Sequence, residues 1–141
     1  MATPRTGQLV WYPYLWARQR TAGETEGRKD RPCCMLLPVR KAGSKETVLY
    51  LLAVSTVPPT DRDDAIEVPE IERRRGGLSE WKARCWVYVN EYNRDVAERS
   101  FYLDPAAEPI GAFGASFVTK IAVAFKAAVL AKASAAVDRQ D

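Results

Sequence analysis

The 141-residue chain contains no histidine. That absence removes every Ser-His and Cys-His nucleophile pair and every histidine-ligated zinc site, and with them the commonest general base. Any catalysis must run on arginine, lysine, carboxylate, tyrosine or hydroxyl groups. Cysteine is scarce too. Cys33, Cys34 and Cys85 form an odd set without C-x-x-C spacing. Adjacent Cys33 and Cys34 on a strand would face opposite sides, so the three are expected as small buried hydrophobes in a reducing cytoplasm, not as a disulfide or metal framework. No run approaches the ~18 apolar residues of a membrane span. The stretch Met1 to Gln8 has no hydrophobic signal core, so nothing points to export and a cytoplasmic protein is expected. Asp61, Asp63 and Asp64 lack the glycine and distal glutamate of a calcium loop. Neither metal nor other cofactor is expected.

What remains is an ordinary globular composition with a net charge of +3. The length suits one domain with a single moderate core, spanning 1–141. The mild basic balance is compatible with nucleic acid without demanding it.

Gln8 to Tyr12 is β-prone and stopped by Pro13. Trp11, Tyr12, Tyr14 and Trp16 crowd aromatic surface into six residues. Trp11 is expected in the core. For Tyr14 and Trp16 two readings stand: core rings at a barrel lip, or a platform for unpaired bases, where each stacked base contributes about 1–3 kcal/mol. Ala17 to Arg31 reads as a long polar loop, Cys33 to Val39 as a second strand, and Lys41 to Glu46 as a hairpin turn. Thr47 to Val54, apolar on both faces, is the central strand, with Ser55 and Thr56 at its end and Pro58-Pro59 breaking it. Ala65 to Val68 reads as an edge strand and Glu70 to Gly77 as a helical turn or two stopped by glycine. Trp81 to Val89 is an alternating strand, with Cys85, Val87 and Val89 on one face and Trp86 and Tyr88 on the other. Asn90 to Asn93 ends it, and Phe101 to Leu103 is a last short strand. Ser116 to about Asp138 is an amphipathic helix, with Phe117, Ile121, Phe125 and Val129 as its stripe and Ser116 as its N-cap. The fold class is therefore mainly β with a C-terminal helix (α+β), a small bent sheet or barrel over about 7–104 and a helix over about 116–138.

The stretch with chemical promise is Gly23-Glu24-Thr25-Glu26-Gly27-Arg28-Lys29-Asp30-Arg31-Pro32, a charged lip that runs straight into an apolar strand. Arg31 stands at the junction, offering a planar fork of donors that matches phosphate oxygens. The intervening hairpin makes the second and third strands antiparallel neighbours, so the start of one lies beside the end of the other. Arg31 and the hydroxyls of Ser55 and Thr56 can then face one pocket. Arg73-Arg74-Arg75 reads as a solvated face or a nucleic-acid contact, and Glu24 and Glu26 are unanchored candidates for a base.

Gly7-Gln8-Leu9-Val10-Trp11-Tyr12, followed by the glycine-bracketed loop ending in Arg31-Pro32 and its apolar strand, resembles the MazF/PemK toxins of bacterial toxin–antitoxin systems. The resemblance spans roughly Gly7 to Pro59 and departs where that family has a Pro-Ile/Leu-Thr-Ser turn, since this chain reads Ala53-Val54-Ser55-Thr56. It implies an SH3-like barrel, a homodimer with a cognate antitoxin protein, and metal-independent cleavage of single-stranded RNA through a 2′,3′-cyclic phosphate. It also implies catalytic roles for Arg31, Ser55 and Thr56. The candidate RNA contacts Tyr14, Trp16, Arg28 and Lys29 come instead from the aromatic crowding and the basic lip, both of which depart from that family. The altered turn keeps a second reading open, a non-catalytic barrel that binds RNA or protein.

Overall fold

The computed structural model describes residues 5–24, 30–36, 38–40, 42–61, 63–80, 83–100, 102–103, 107–131 and 135–139. Its sheet is built around β4, Thr47–Ser55, whose apolar run is covered on both sides. On one edge β2 (Arg31–Met35) pairs antiparallel with β4, Cys33 opposite Ala53, and β1 (Gln8–Tyr12) pairs antiparallel with β2. The two-residue β3 (Val39–Arg40) joins the start of β4 through a turn in which Gly43 takes φ 72°, a left-handed conformation that glycine adopts without strain. On the other edge lie β6 (Trp86–Tyr88) and β7 (Glu91–Val96), both antiparallel to β4. Val54 faces Val87 while Leu51 faces Asn93, so three steps along β4 answer to six on its neighbour. The extra residues around Val89 and Asn90 bend the edge as a bulge does. With β5 (Ala65–Glu67) beyond β6 and β8 (Gly111–Ala112) beyond β1, the sheet runs β5-β6-β4-β2-β1-β8 and curls into an antiparallel half-barrel.

The alternation of strand side chains separates two cores. Leu9, Cys34, Leu52, Val54 and Val87 point to one side and meet Phe117, Ile121 and Phe125 of α3, Ala115–Leu130. Val10, Tyr12, Cys33, Leu51, Ala53, Trp86 and Tyr88 point to the other, where Tyr14 and Trp16 close over them. Cys33 and Cys34 thus face opposite sides, and Cys85, Val87 and Val89 part from Trp86 and Tyr88, both as expected. The cysteines are buried and unpaired by disulfides; burial raises all three thiol pKa values, that of Cys85 to about 11. Near α2 (Glu70–Arg75), β8 passes so close that a Cβ on Gly111 would stand 2.4 Å from the backbone of Gly76.

Several expectations are corrected. Trp11 is 53% exposed: it shares Leu9's side of β1 but stands outside the apolar cluster packed there. The polar loop after Trp16 begins with a short helix, α1, Ala17–Thr21. Of the expected alternating strand, Trp81 and Lys82 lie outside the described residues, Ala83 to Cys85 are not strand and Trp86–Tyr88 is, while Glu91 to Asn93 open β7 instead of ending a strand. Tyr102 and Leu103 form a bend, not a strand, while Phe101 lies outside the described residues. The C-terminal helix starts one residue before Ser116, with Gly114 at its N-cap, and stops at Leu130. A ninth strand, β9 (Ala135–Asp138), then pairs in parallel with β7. Ala128 replaces Val129 on the buried stripe, because four-residue steps drift off a 3.6-residue period. Among the described residues no helix is long and apolar enough to cross a membrane.

Candidate active site

Arg31 and Ser55 come together by register. Arg31 lies two residues before Cys33 and Ser55 two residues after Ala53, so continuing the Cys33–Ala53 pairing sets them opposite one another. The two-residue period puts both side chains on the Tyr14–Trp16 side of the sheet. They share two adjoining recesses. One, of about 250 Å³, is bordered by Trp16, Arg18, Tyr88, Asp63 and Glu91 as well; the other, of about 190 Å³, by Asp30, Pro32 and Thr56. A larger hollow of about 350 Å³ between α3 and β5 is floored by alanines, with Asp64 as its one charged border, and lacks converging polar groups.

The 250 Å³ cleft carries two cations, Arg18 and Arg31, and two carboxylates, Asp63 and Glu91. The guanidinium carbons of Arg18 and Arg31 stand 4.9 and 5.2 Å from the Trp16 ring centroid, within cation–π range. Burial, and beyond it the like charge of Arg18, hold the Arg31 pKa below its ordinary value. Arg31 Nε and Trp16 Nε1 are buried donors with no acceptor among the described residues. Buried donors are normally paired. Arg31 Nε belongs to one of the two guanidinium groups that stand over Trp16, and an anionic oxygen at this end of the cleft would meet the charge of both. Ser55 Oγ accepts the Val57 N–H at 3.1 Å, which leaves the hydroxyl proton available to a ligand.

The platform residues are held by β7. Leu15 donates its N–H to Asn93 Oδ1 at 2.9 Å, and Asn93 Nδ2 donates to Leu15 O at 2.7 Å. Ala17 N–H donates to Glu91 Oε1 at 2.9 Å, the Tyr14 hydroxyl donates to the same oxygen at 3.3 Å, and Gln19 Oε1 accepts the Trp16 N–H. Tyr14 is consequently a core residue, 1% exposed, with its ring edge-on to Trp16 at 5.0 Å. Its expected stacking role is corrected: no base can reach its face. Trp16 borders the cleft and is braced from behind by Tyr14 and from the side by Tyr88 at 5.5 Å. Thr56 is exposed at the smaller recess. Arg28 and Lys29 lie outside the described residues. The Arg73–Arg75 cluster is engaged locally: Arg73 donates to Ala83 O, while Arg74 and Arg75 pair with Glu70 and Glu72.

Sequence reasoning missed Glu91, Asn93 and Tyr88 as site residues and did not single out Arg18 within the polar loop. For Glu91 and Asn93 the signal was hidden, since Asn90-Glu91-Tyr92-Asn93 has the composition of a turn. In comparisons with protein-family models, with curated proteins and with solved structures, nothing matched this chain.

Proposed function

We propose that the protein is a metal-independent endoribonuclease of the MazF/PemK toxin kind, with an SH3-like barrel, acting on single-stranded RNA as a homodimer controlled by a cognate antitoxin protein. The observation that carries this reading is the meeting of Arg31 and Ser55 in one cleft beside Arg18 and Trp16, with two buried donors that lack acceptors. The ribose 2′-hydroxyl attacks the adjacent phosphorus, the 5′-oxygen leaves, and a 2′,3′-cyclic phosphate remains. Charge accumulates on the non-bridging oxygens during that step, so preorganised donors that strengthen there lower the barrier. Arg31 is placed for this charge, the Ser55 hydroxyl for one non-bridging oxygen, and Arg18 for a neighbouring phosphate. Thr56 borders the smaller recess that adjoins the cleft at Arg31 and Ser55, and offers a second hydroxyl to the phosphate. The mechanism needs neither histidine nor metal.

The direct test is a time course with single-stranded RNA in excess EDTA, run beside the same strand carrying 2′-O-methyl groups throughout. Cleavage of the first and survival of the second is expected; equal survival of both contradicts the reading. Ser55→Ala is expected to slow cleavage by about tenfold, the value of one hydrogen bond that tightens in the transition state. The same change costs about 1 kcal/mol of stability through the lost acceptor for Val57 N–H. Steady-state kinetics and a urea titration measure the two effects separately.

A second reading, a non-catalytic RNA-binding barrel, is favoured by the strand end Ala53-Val54-Ser55-Thr56, which lacks the proline of the toxin turn. It predicts saturable binding that weakens with salt as phosphate contacts are screened, and no product.

A further inference from the structure

The cleft holds a carboxylate that none of the roles above explains. Glu91, the first residue of β7, is 8% exposed, and none of the ion pairs found among the described residues includes it. Its Oε1 is fixed by two donors, the Ala17 N–H and the Tyr14 hydroxyl. Its Oε2 receives no hydrogen bond from any described residue, and the side chain borders the same cleft as Arg31 and Ser55. A glutamine would serve as well as an acceptor for Ala17 and Tyr14, and without the cost of burying a charge. The orientation is locked through one oxygen while the other is left for a ligand.

We propose that Glu91 is the proton acceptor for the attacking 2′-hydroxyl, an inference that rests on the ribonuclease reading above. Glu91 Oε2 takes the proton from O2′ as the O2′–P bond forms and the P–O5′ bond breaks. The leaving O5′ takes a proton from water, and the hydroxide so formed is neutralised by the proton that Glu91 then releases to solvent. Nothing is oxidised or reduced, and the products are a 2′,3′-cyclic phosphate and a 5′-hydroxyl. Position comes from geometry; reactivity is assisted by environment. Burial raises the Glu91 pKa, the Asp63 carboxylate adds to the rise, and the Ala17 N–H, the Tyr14 hydroxyl and Arg18 partly offset it. Arg31 borders the same cleft. A carboxylate so raised is a better base near neutral pH than an ordinary one.

The sign of the pH dependence follows. Only the ionised form accepts the proton, so kcat falls as pH drops through the raised pKa, and the acid limb lies above the ordinary glutamate value of about 4.5. The experiment is the pH–rate profile of wild-type protein and Glu91→Gln on single-stranded RNA in EDTA, with RNA affinity and Tm measured on the same preparations. Expected for the variant are a kcat lowered by about 10²-fold, RNA affinity within about twofold of wild type, and loss of the acid limb. Its Tm at pH 8 should equal or exceed that of wild type. The folded protein disfavours ionised Glu91, so stability present at low pH is lost as pH rises through the raised pKa, and glutamine avoids that loss. A variant that cleaves at the wild-type rate, or keeps the acid limb, overturns the role of Glu91 while leaving the ribonuclease reading standing. A wild-type protein that binds RNA and never cleaves it overturns both. If the glutamine variant does not fold, the wild-type profile decides: a rate that stays flat down to about pH 4.5 overturns the assignment.

Discussion

Arg31→Ala is expected to lower RNA cleavage by about 10²–10³-fold, the loss that follows when one preorganised donor to a developing oxyanion is removed. Arg31 contributes little to the fold. It is half-buried, its Nε has no acceptor among the described residues, and its charge is desolvated beside the like charge of Arg18. Among the described residues its side chain makes a cation–π approach to Trp16, which Arg18 makes as well. Removing Arg31 should therefore leave the Tm within a few degrees of wild type while activity collapses. Arg31→Lys keeps the charge but loses the planar fork, and should recover no more than about a tenth of the rate. A lysine variant with full activity would mean that charge alone suffices. An alanine variant with full activity would remove Arg31 from the mechanism.

The second large effect lies behind the site. Asn93→Ala is expected to cost about 3 kcal/mol of folding free energy, a substantial part of the ~5–15 kcal/mol of a typical domain. Asn93 is fully buried, and its amide answers three groups: the N–H and the carbonyl of Leu15, and Nη1 of Arg139, whose 2.9 Å bond ties in the residue that follows β9. Truncation leaves those partners in the interior, where each unsatisfied group costs about 1–3 kcal/mol. The Arg139 guanidinium keeps Pro13 O, at 2.8 Å, and its approach to the Tyr12 and Tyr102 rings, but loses its one side-chain acceptor among the described residues. Because Leu15 is the neighbour of Trp16, the cleft should loosen together with the fold. A urea titration gives the stability change. A loss under about 1 kcal/mol would show that water or rearrangement replaces the amide.

Asn93 also shows where the sequence stopped being legible. β4 was readable because Val48 to Val54 is a continuous apolar run, and its antiparallel pairing with β2 followed from the short hairpin between them. From that pairing alone Arg31 and Ser55 could be set side by side. The two faces of Trp86–Tyr88 were readable from a period of two. β7 was not readable, because its inward positions Glu91 and Asn93 carry polar side chains that bond the backbone of Leu15 and Ala17, and inward polar residues erase the alternation by which a half-buried strand is recognised. β9 was hidden by propensity. The alanine-rich run after Phe125 favours helix, yet Ala135–Asp138 lies along β7 as a strand, with Val137 buried and Asp138 paired to Arg94 at 3.1 Å. Tertiary pairing overrode a weak local preference. Trp11 went the other way, an aromatic expected inside that stands at the surface, since strand alternation says which side a residue faces and not whether anything covers it there.

On the mechanism proposed, the Arg31–Ser55 cleft drives attack by the substrate's own 2′-hydroxyl. The measurement that tests it most directly is the mass of the new RNA ends after incubation with purified protein in excess EDTA. Expected are fragments ending in a 2′,3′-cyclic phosphate with 5′-hydroxyl partners, produced by wild type and absent with Arg31→Ala. Fragments bearing a 3′-hydroxyl and a 5′-phosphate, or no fragments at all, would contradict it.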